Sequence, residues 1–128
     1  MTAKHILVMA GVSGLVAVAI GAFGAHGLKG KLDGSMLSAF QTGVQYHFYH
    51  TFALAFIAIL LMKFPTNSLF IGASWAFLIG IVLFSGSLYG LALGAPRWLG
   101  PITPLGGLSF IIGWSLWAVG AWRLNEMV

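Results

Sequence analysis

The chain has 128 residues, 59% of them apolar and only 6% charged, whereas a soluble domain carries roughly 25% charged residues. That composition excludes a water-soluble globule and indicates a membrane protein. The net charge of +4 comes from scattered cations with no Lys/Arg patch, which excludes a nucleic-acid-binding surface. Cysteine is absent, which removes disulfides, thiolate metal ligands and cysteine-linked lipids.

The charged residues are Lys4, Lys29, Lys31, Asp33, Lys63, Arg97, Arg123 and Glu126. All fall at the edges of long uncharged runs, where a bilayer places them, because a charge at the hydrocarbon centre costs several kcal/mol. An upright helix needs roughly 20 residues to cross that hydrocarbon. Runs of this order cover residues 6–23, 46–62, 69–93 and 105–122. The first is too long for a signal-peptide core and is read as a retained helix. A glycine-rich polar segment from Gly27 to Gly34 follows it. Ser35 is the expected N-cap of the second helix, and Leu37, Phe40, Val44 and Phe48 recur at helical spacing beyond it. This pattern predicts a short amphipathic entry at the interface, continuous with the second span, or else one long tilted helix. The segment from Phe64 to Ser68 is a short turn. On the third span, Gly86, Gly90 and Gly94 are spaced to form a ridge, with Gly72, Ala76 and Gly80 upstream; Gly14, Ala17 and Gly21 do the same on the first. Small residues let helices approach closely in lipid, so a second copy of the chain or another membrane protein is an expected partner of the Gly86/Gly90/Gly94 ridge. Pro96, Pro101 and Pro104 stiffen the last connection, with Thr103 expected to cap a fourth helix that has Pro104 in its first position. The sum is an all-α membrane protein, one domain over residues 1–128, built as a four-transmembrane-helix bundle. Lys4, Lys63 and Arg123 lie on one side and Lys29, Lys31 and Arg97 on the other; the slight excess at the amino terminus places the termini in the cytoplasm.

Following depth through the spans gathers the polar side chains at one end. His26, Gln41, Gln45, Tyr46, His47, Tyr49, His50, Ser85, Ser87, Tyr89, Arg97, Trp98 and Thr103 collect there. A candidate ligand-binding cluster therefore comprises His26, Gln41, Gln45, His47, His50, Ser85, Ser87, Tyr89 and Arg97. His47 and His50 share a helical face and are spaced to bind a transition metal, with His26 as the third nitrogen. The competing reading makes them interfacial anchors that hydrogen-bond neighbouring helices. No catalytic residue is assigned: a Ser85/Ser87/His50 protease-like set is weaker than a packing role, and no cofactor is specified. With neither acid inside a span, ion-coupled transport lacks its usual carboxylate.

Four segments together are familiar: Gly21-Ala-Phe-Gly-Ala-His-Gly27, Gln41-Thr-Gly-Val-Gln-Tyr-His-Phe-Tyr-His50, Phe84-Ser-Gly-Ser-Leu-Tyr-Gly90 and Gly100-Pro-Ile-Thr-Pro-Leu-Gly-Gly107. In this order they resemble the YgdD/YwdK-like family of small bacterial inner-membrane proteins, grouped as domain of unknown function family 423. The resemblance implies a multi-pass protein of the cytoplasmic membrane and brings no particular reaction with it. The leading expectation is a non-enzymatic assembly or accessory protein, or a binder of lipid-like molecules. A small transporter or channel using the His/Gln/Ser end, and a metal or cofactor protein centred on His47 and His50, are the alternatives.

Overall fold

A computed structural model describes residues 1–124; Glu126, placed beyond the fourth span above, lies outside them. Four long helices make up the described chain: α1 (Ala3–Leu28), α2 (Gly34–Lys63), α3 (Ser68–Ala92) and α4 (Arg97–Trp122). Each contains an 18-residue stretch with mean hydropathy between 1.4 and 2.4, enough to cross a bilayer. The connections alternate between two sides, so Ala3, Lys63, Ser68 and Trp122 share one side and the loops after Leu28 and Ala92 share the other.

Local chemistry sets the helix ends. Asp33 caps α2: its carboxylate accepts from the Met36 amide at 2.8 Å and from the Ser35 hydroxyl at 2.9 Å. Ser35, the expected cap, instead steadies the capping carboxylate one residue inside the helix. Asn67 caps α3 by accepting from the Phe70 amide at 3.0 Å. The fourth helix opens with a tight turn at Arg97–Leu99, and its α-helical part begins at Ile102. Thr103 therefore sits inside the first turn and does not cap it, and Pro104 is not the first helical residue.

Two π turns interrupt the helices. One, Gly24–Leu28, finishes α1; the other, Ile81–Ser85, lies inside α3. A π turn holds one residue more than an α turn, so the helix beyond it is rotated by roughly 100° relative to an uninterrupted one. In α3 this rotation turns Ser85 and Tyr89 toward α2.

The helices pack in sequence, α1 on α2, α2 on α3 and α3 on α4. The central pair α2 and α3 is the more buried; most of α1 and α4 faces outward. Lipid chains are as apolar as the side chains, so close van der Waals packing and interhelical hydrogen bonds must hold the helices together. The α3–α4 contact shows how. Phe70, Phe77 and Phe84 recur every seven residues, and Gly120, Gly113 and Gly106 oppose them in antiparallel order. A Cβ added at Gly120 would lie 2.9 Å from the Phe70 ring, and one at Gly113 2.6 Å from the Phe77 ring. At Gly106 it would meet the backbone of Phe84, while Gly80 returns the arrangement by receiving Phe110. Seven-residue spacing keeps the three glycines on one side of α4 and Phe70 with Phe77 on one side of α3; Phe84 lies inside the π turn and presents its backbone instead of its ring.

The Gly86/Gly90/Gly94 ridge is not a continuous helix face. Gly94 lies beyond the end of α3 with φ +93, in the left-handed region that terminates helices, and the Leu99 side chain already covers Gly90. Gly86 and Gly94 both stay open, but of the two only Gly86 lies within α3. The three glycines therefore do not form the single packing face that their spacing suggests.

Candidate functional site

The expected interfacial position of His47 and His50 is corrected by the structure. The start of α2 packs beside the end of α1, with Phe40 seated on Gly24 and Val44 on Gly21. At 1.5 Å per residue His47 and His50 lie roughly 10 Å and 15 Å deeper than Phe40. Ser13, bonded to His47 at 3.0 Å, lies ten residues from both Ala3 and Phe23, the ends of the regular part of α1. Both histidines thus sit near the middle of the bundle. α2 is one continuous helix of 30 residues, about 45 Å long, and its polar opening turns run straight into the span.

The two rings diverge. His50 is 3% exposed and faces α4. Its Nδ1 lies 2.7 Å from the Tyr46 carbonyl, and the Trp114 indole donates to its Nε2 at 3.0 Å. A carbonyl only accepts and an indole N–H only donates, so the ring is fixed as the neutral Nδ1–H tautomer. Phe110 stacks on it at 3.5 Å between centroids and 8° between planes. Both ring nitrogens are engaged, and His50 works as a lock between α2 and α4.

His47 is 4% exposed and faces α1 and the far end of α3. Its Nδ1 lies 2.9 Å from the Tyr89 hydroxyl and its Nε2 3.0 Å from the Ser13 hydroxyl; Ser13 continues to Thr51 at 2.6 Å. One chain of hydrogen bonds therefore joins three helices.

The other expected cluster residues spread apart. Ser85, fully buried, donates to the Gly43 carbonyl at 2.7 Å and ties α3 to α2. Ser87 bonds Thr103 and donates to the Phe84 carbonyl at 2.9 Å, holding the start of the fourth helix to α3. Gln41 and Gln45 face a shallow hollow between α1 and α2, and Lys29 reaches its rim. His26 is exposed in the π turn of α1 and Arg97 is exposed at the start of α4. Among the described residues no three histidine or acidic side chains are placed to share a metal ion. His26, His47 and His50 do not converge, which removes the three-nitrogen metal arrangement.

Sequence reasoning missed Ser13, Thr51, Phe110 and Trp114. Ser13 was legible as a lone hydroxyl amid apolar residues, and Thr51 as the residue one turn from His47. Their pairing across 38 positions was not.

A large open groove of about 720 Å³ lies between α2 and α4, floored by Phe84 of α3. Tyr46, Tyr49, Phe110 and Trp114 give it aromatic walls, and Leu108 and Ile111 form its outer lip. Among the described residues neither the Tyr46 nor the Tyr49 hydroxyl has a hydrogen-bond partner, and both side chains are exposed. α2 and α4 stand apart here because large aromatic rings, rather than glycines, fill the space between them. A narrower groove between α1 and α3, lined by Met9, Val12, Leu78 and Val82, has Ser13 and His47 at its base.

Comparison with known proteins agrees with this architecture. The family described as "Protein of unknown function (DUF423)" matches residues 20–107, a stretch holding all four motif segments. The UPF0382 membrane protein YwdK of Bacillus subtilis is 46% identical over 92% of this chain and 96% of its own length. The UPF0382 inner membrane protein YgdD of Escherichia coli K12 is 42% identical over 98% of this chain and 95% of its own. A UPF0382 membrane protein of Staphylococcus saprophyticus is 40% identical over 94% and 99%. No solved structure matches. A profile spanning most of the chain and relatives aligned nearly end to end lead to one conclusion: four apolar helices and all, the chain belongs to the DUF423 (UPF0382) family and is a multi-pass protein of the inner, cytoplasmic membrane.

Proposed function

We propose that this protein is a non-enzymatic binder of a lipid-like amphiphile, held in the groove between α2 and α4. The groove itself carries the reading: about 720 Å³ of aromatic-walled space open sideways to the bilayer, within the range of small-molecule sites. Its polar atoms support an amphiphile rather than a hydrocarbon. Tyr46 and Tyr49 present unpartnered hydroxyls beside the apolar floor, where they can bond a polar group of the bound molecule. His50 does not serve as a ligand contact in this reading, since both its nitrogens are engaged. It holds the groove's back wall by fixing Trp114 and Phe110.

The test is photolabelling in vesicles with a phospholipid bearing a diazirine on its acyl chain. A binding groove concentrates label on Tyr49, Leu108 and Ile111 over the still more exposed Leu15 of α1, and Leu108→Trp, which fills the groove, removes that excess. Labelling spread evenly over every lipid-facing residue, unchanged in the variant, would show ordinary surrounding lipid and no site.

A further inference from the structure

The hollow between α1 and α2 is polar at one end and apolar at the other. Gly24, Ala25 and Gln41 run along its length, with Lys29 at the outer end and Val44 and Gln45 at the inner one. Space remains there because α1 offers only small side chains: the Phe40 ring covers Gly24, and Ala25 stops at a methyl group. Gln45 lies about 6 Å further along α2 than Gln41. Both amides are exposed, and among the described residues neither has a hydrogen-bond partner. No carboxylate lines the hollow; that of Asp33 is already bonded to the Met36 amide and the Ser35 hydroxyl.

Lys29 owes its place to the π turn at Gly24–Leu28. Closure of such a turn from residue i to i+5 brings the fifth residue on back over the first, so Lys29 follows Gly24 on one side of α1 and both line the hollow. In an uninterrupted α-helix, Lys29 would lie roughly 140° around the axis from Gly24. The irregular turn therefore delivers the cation to the two amides. By contrast, no charged side chain lines the groove between α2 and α4, so the two sites suit different head groups.

We propose that the α1–α2 hollow is a binding site for the head-group end of an anionic glycerophospholipid. The phosphate lies against the Lys29 ammonium, a point charge suited to it. The Gln41 and Gln45 amides donate to the ester carbonyls, and the acyl chains continue past Val44. Along the hollow the order is cation, amide, aliphatic; along such a lipid it is phosphate, ester, hydrocarbon. A free anion would use Lys29 and leave the inner amides idle. This site lies between α1 and α2 and the amphiphile groove between α2 and α4, so each stands or falls separately.

The experiment is native mass spectrometry of the full chain from mixed micelles supplied with equal phosphatidylglycerol and phosphatidylcholine of the same acyl chains. The wild type should retain phosphatidylglycerol in preference. Lys29→Gln should cut that preference about fivefold, the effect of one lysine at an anionic surface, and Lys29→Arg should keep it. Lys31→Gln removes the same charge at the same end but outside the hollow, and should change the preference far less. Gln45→Leu should weaken retention of both lipids about fivefold, the effect of one lost hydrogen bond, because both carry the ester. None of these residues lines the α2–α4 groove, so lipid held there is a constant background. Equal retention of the two lipids by the wild type would overturn the proposal, as would equal losses from Lys29→Gln and Lys31→Gln, the mark of a diffuse basic surface. Complete displacement of phosphatidylglycerol by inorganic phosphate would assign the hollow to a free anion and overturn it too.

Discussion

Adjacent glycines at the start of the fourth helix provide a controlled test of how the bundle is held. Gly106 and Gly107 differ only in what stands opposite. A Cβ at Gly106 would lie 2.7 Å from the Phe84 Cα and Cβ; one at Gly107 would meet only the Phe84 ring, at 3.9 Å, an ordinary contact. Backbone cannot rotate away, so Gly106→Ala forces α3 and α4 apart locally by about 1 Å, a separation that forfeits about a quarter to a half of each affected dispersion contact. Overpacking of this kind costs about 1–3 kcal/mol. Both substitutions share the same gain of about 1 kcal/mol in helix propensity, so subtracting one from the other isolates the packing cost. Reversible unfolding by SDS in mixed micelles should therefore find Gly106→Ala about 1–3 kcal/mol less stable than Gly107→Ala, with Gly107→Ala no worse than wild type. Equal stabilities would refute the claim that glycine-permitted contact holds α3 to α4.

Trp114→Phe removes the indole donor to His50 Nε2 and leaves that nitrogen without a partner in an apolar surrounding; the same assay should show a loss of about 1 kcal/mol, and an unchanged protein would mean the His50 lock contributes nothing. Asp33 supplies the pH dependence. The Met36 amide and the Ser35 hydroxyl donate to its carboxylate and hold it below the usual carboxylate range. A carboxyl depressed by folding stabilises above its unfolded value and stops doing so as pH falls through its lowered folded value. Asp33→Ala should accordingly be less stable than wild type at neutral pH and converge with it in strong acid; a gap that persists there would rule out the charged cap.

Much of the fold was legible because bilayer thickness imposes a length on apolar runs. All four spans follow from that constraint. Element ends were less legible: Asp33 and Ser35 are both good caps, and only the chain's path decides between them. The glycines mislead in an instructive way. Gly86, Gly90 and Gly94 carry the spacing that sequence reasoning looks for, yet the last is past the helix end at φ +93. The seam that matters was present in the sequence as Phe70, Phe77 and Phe84 against Gly106, Gly113 and Gly120. Recognising it requires pairing two helices in antiparallel register.

The candidate site shows the same boundary. The spans carry their polar side chains toward one end, but the opening turns of α2 pack along α1, so His47 and His50 lie deeper in the bundle than an interfacial reading places them. Identical side chains at His47 and His50 then acquire different chemistry from partners 34 and 64 positions away in sequence. Residue type and local spacing contain no trace of those distances.

The most direct test of the amphiphile-binding account is native mass spectrometry of gently extracted protein, wild type beside Leu108→Trp. The account predicts one retained amphiphile per chain in the wild type, lost when the indole fills the α2–α4 groove. The same distribution of loosely held lipids on both proteins would contradict it.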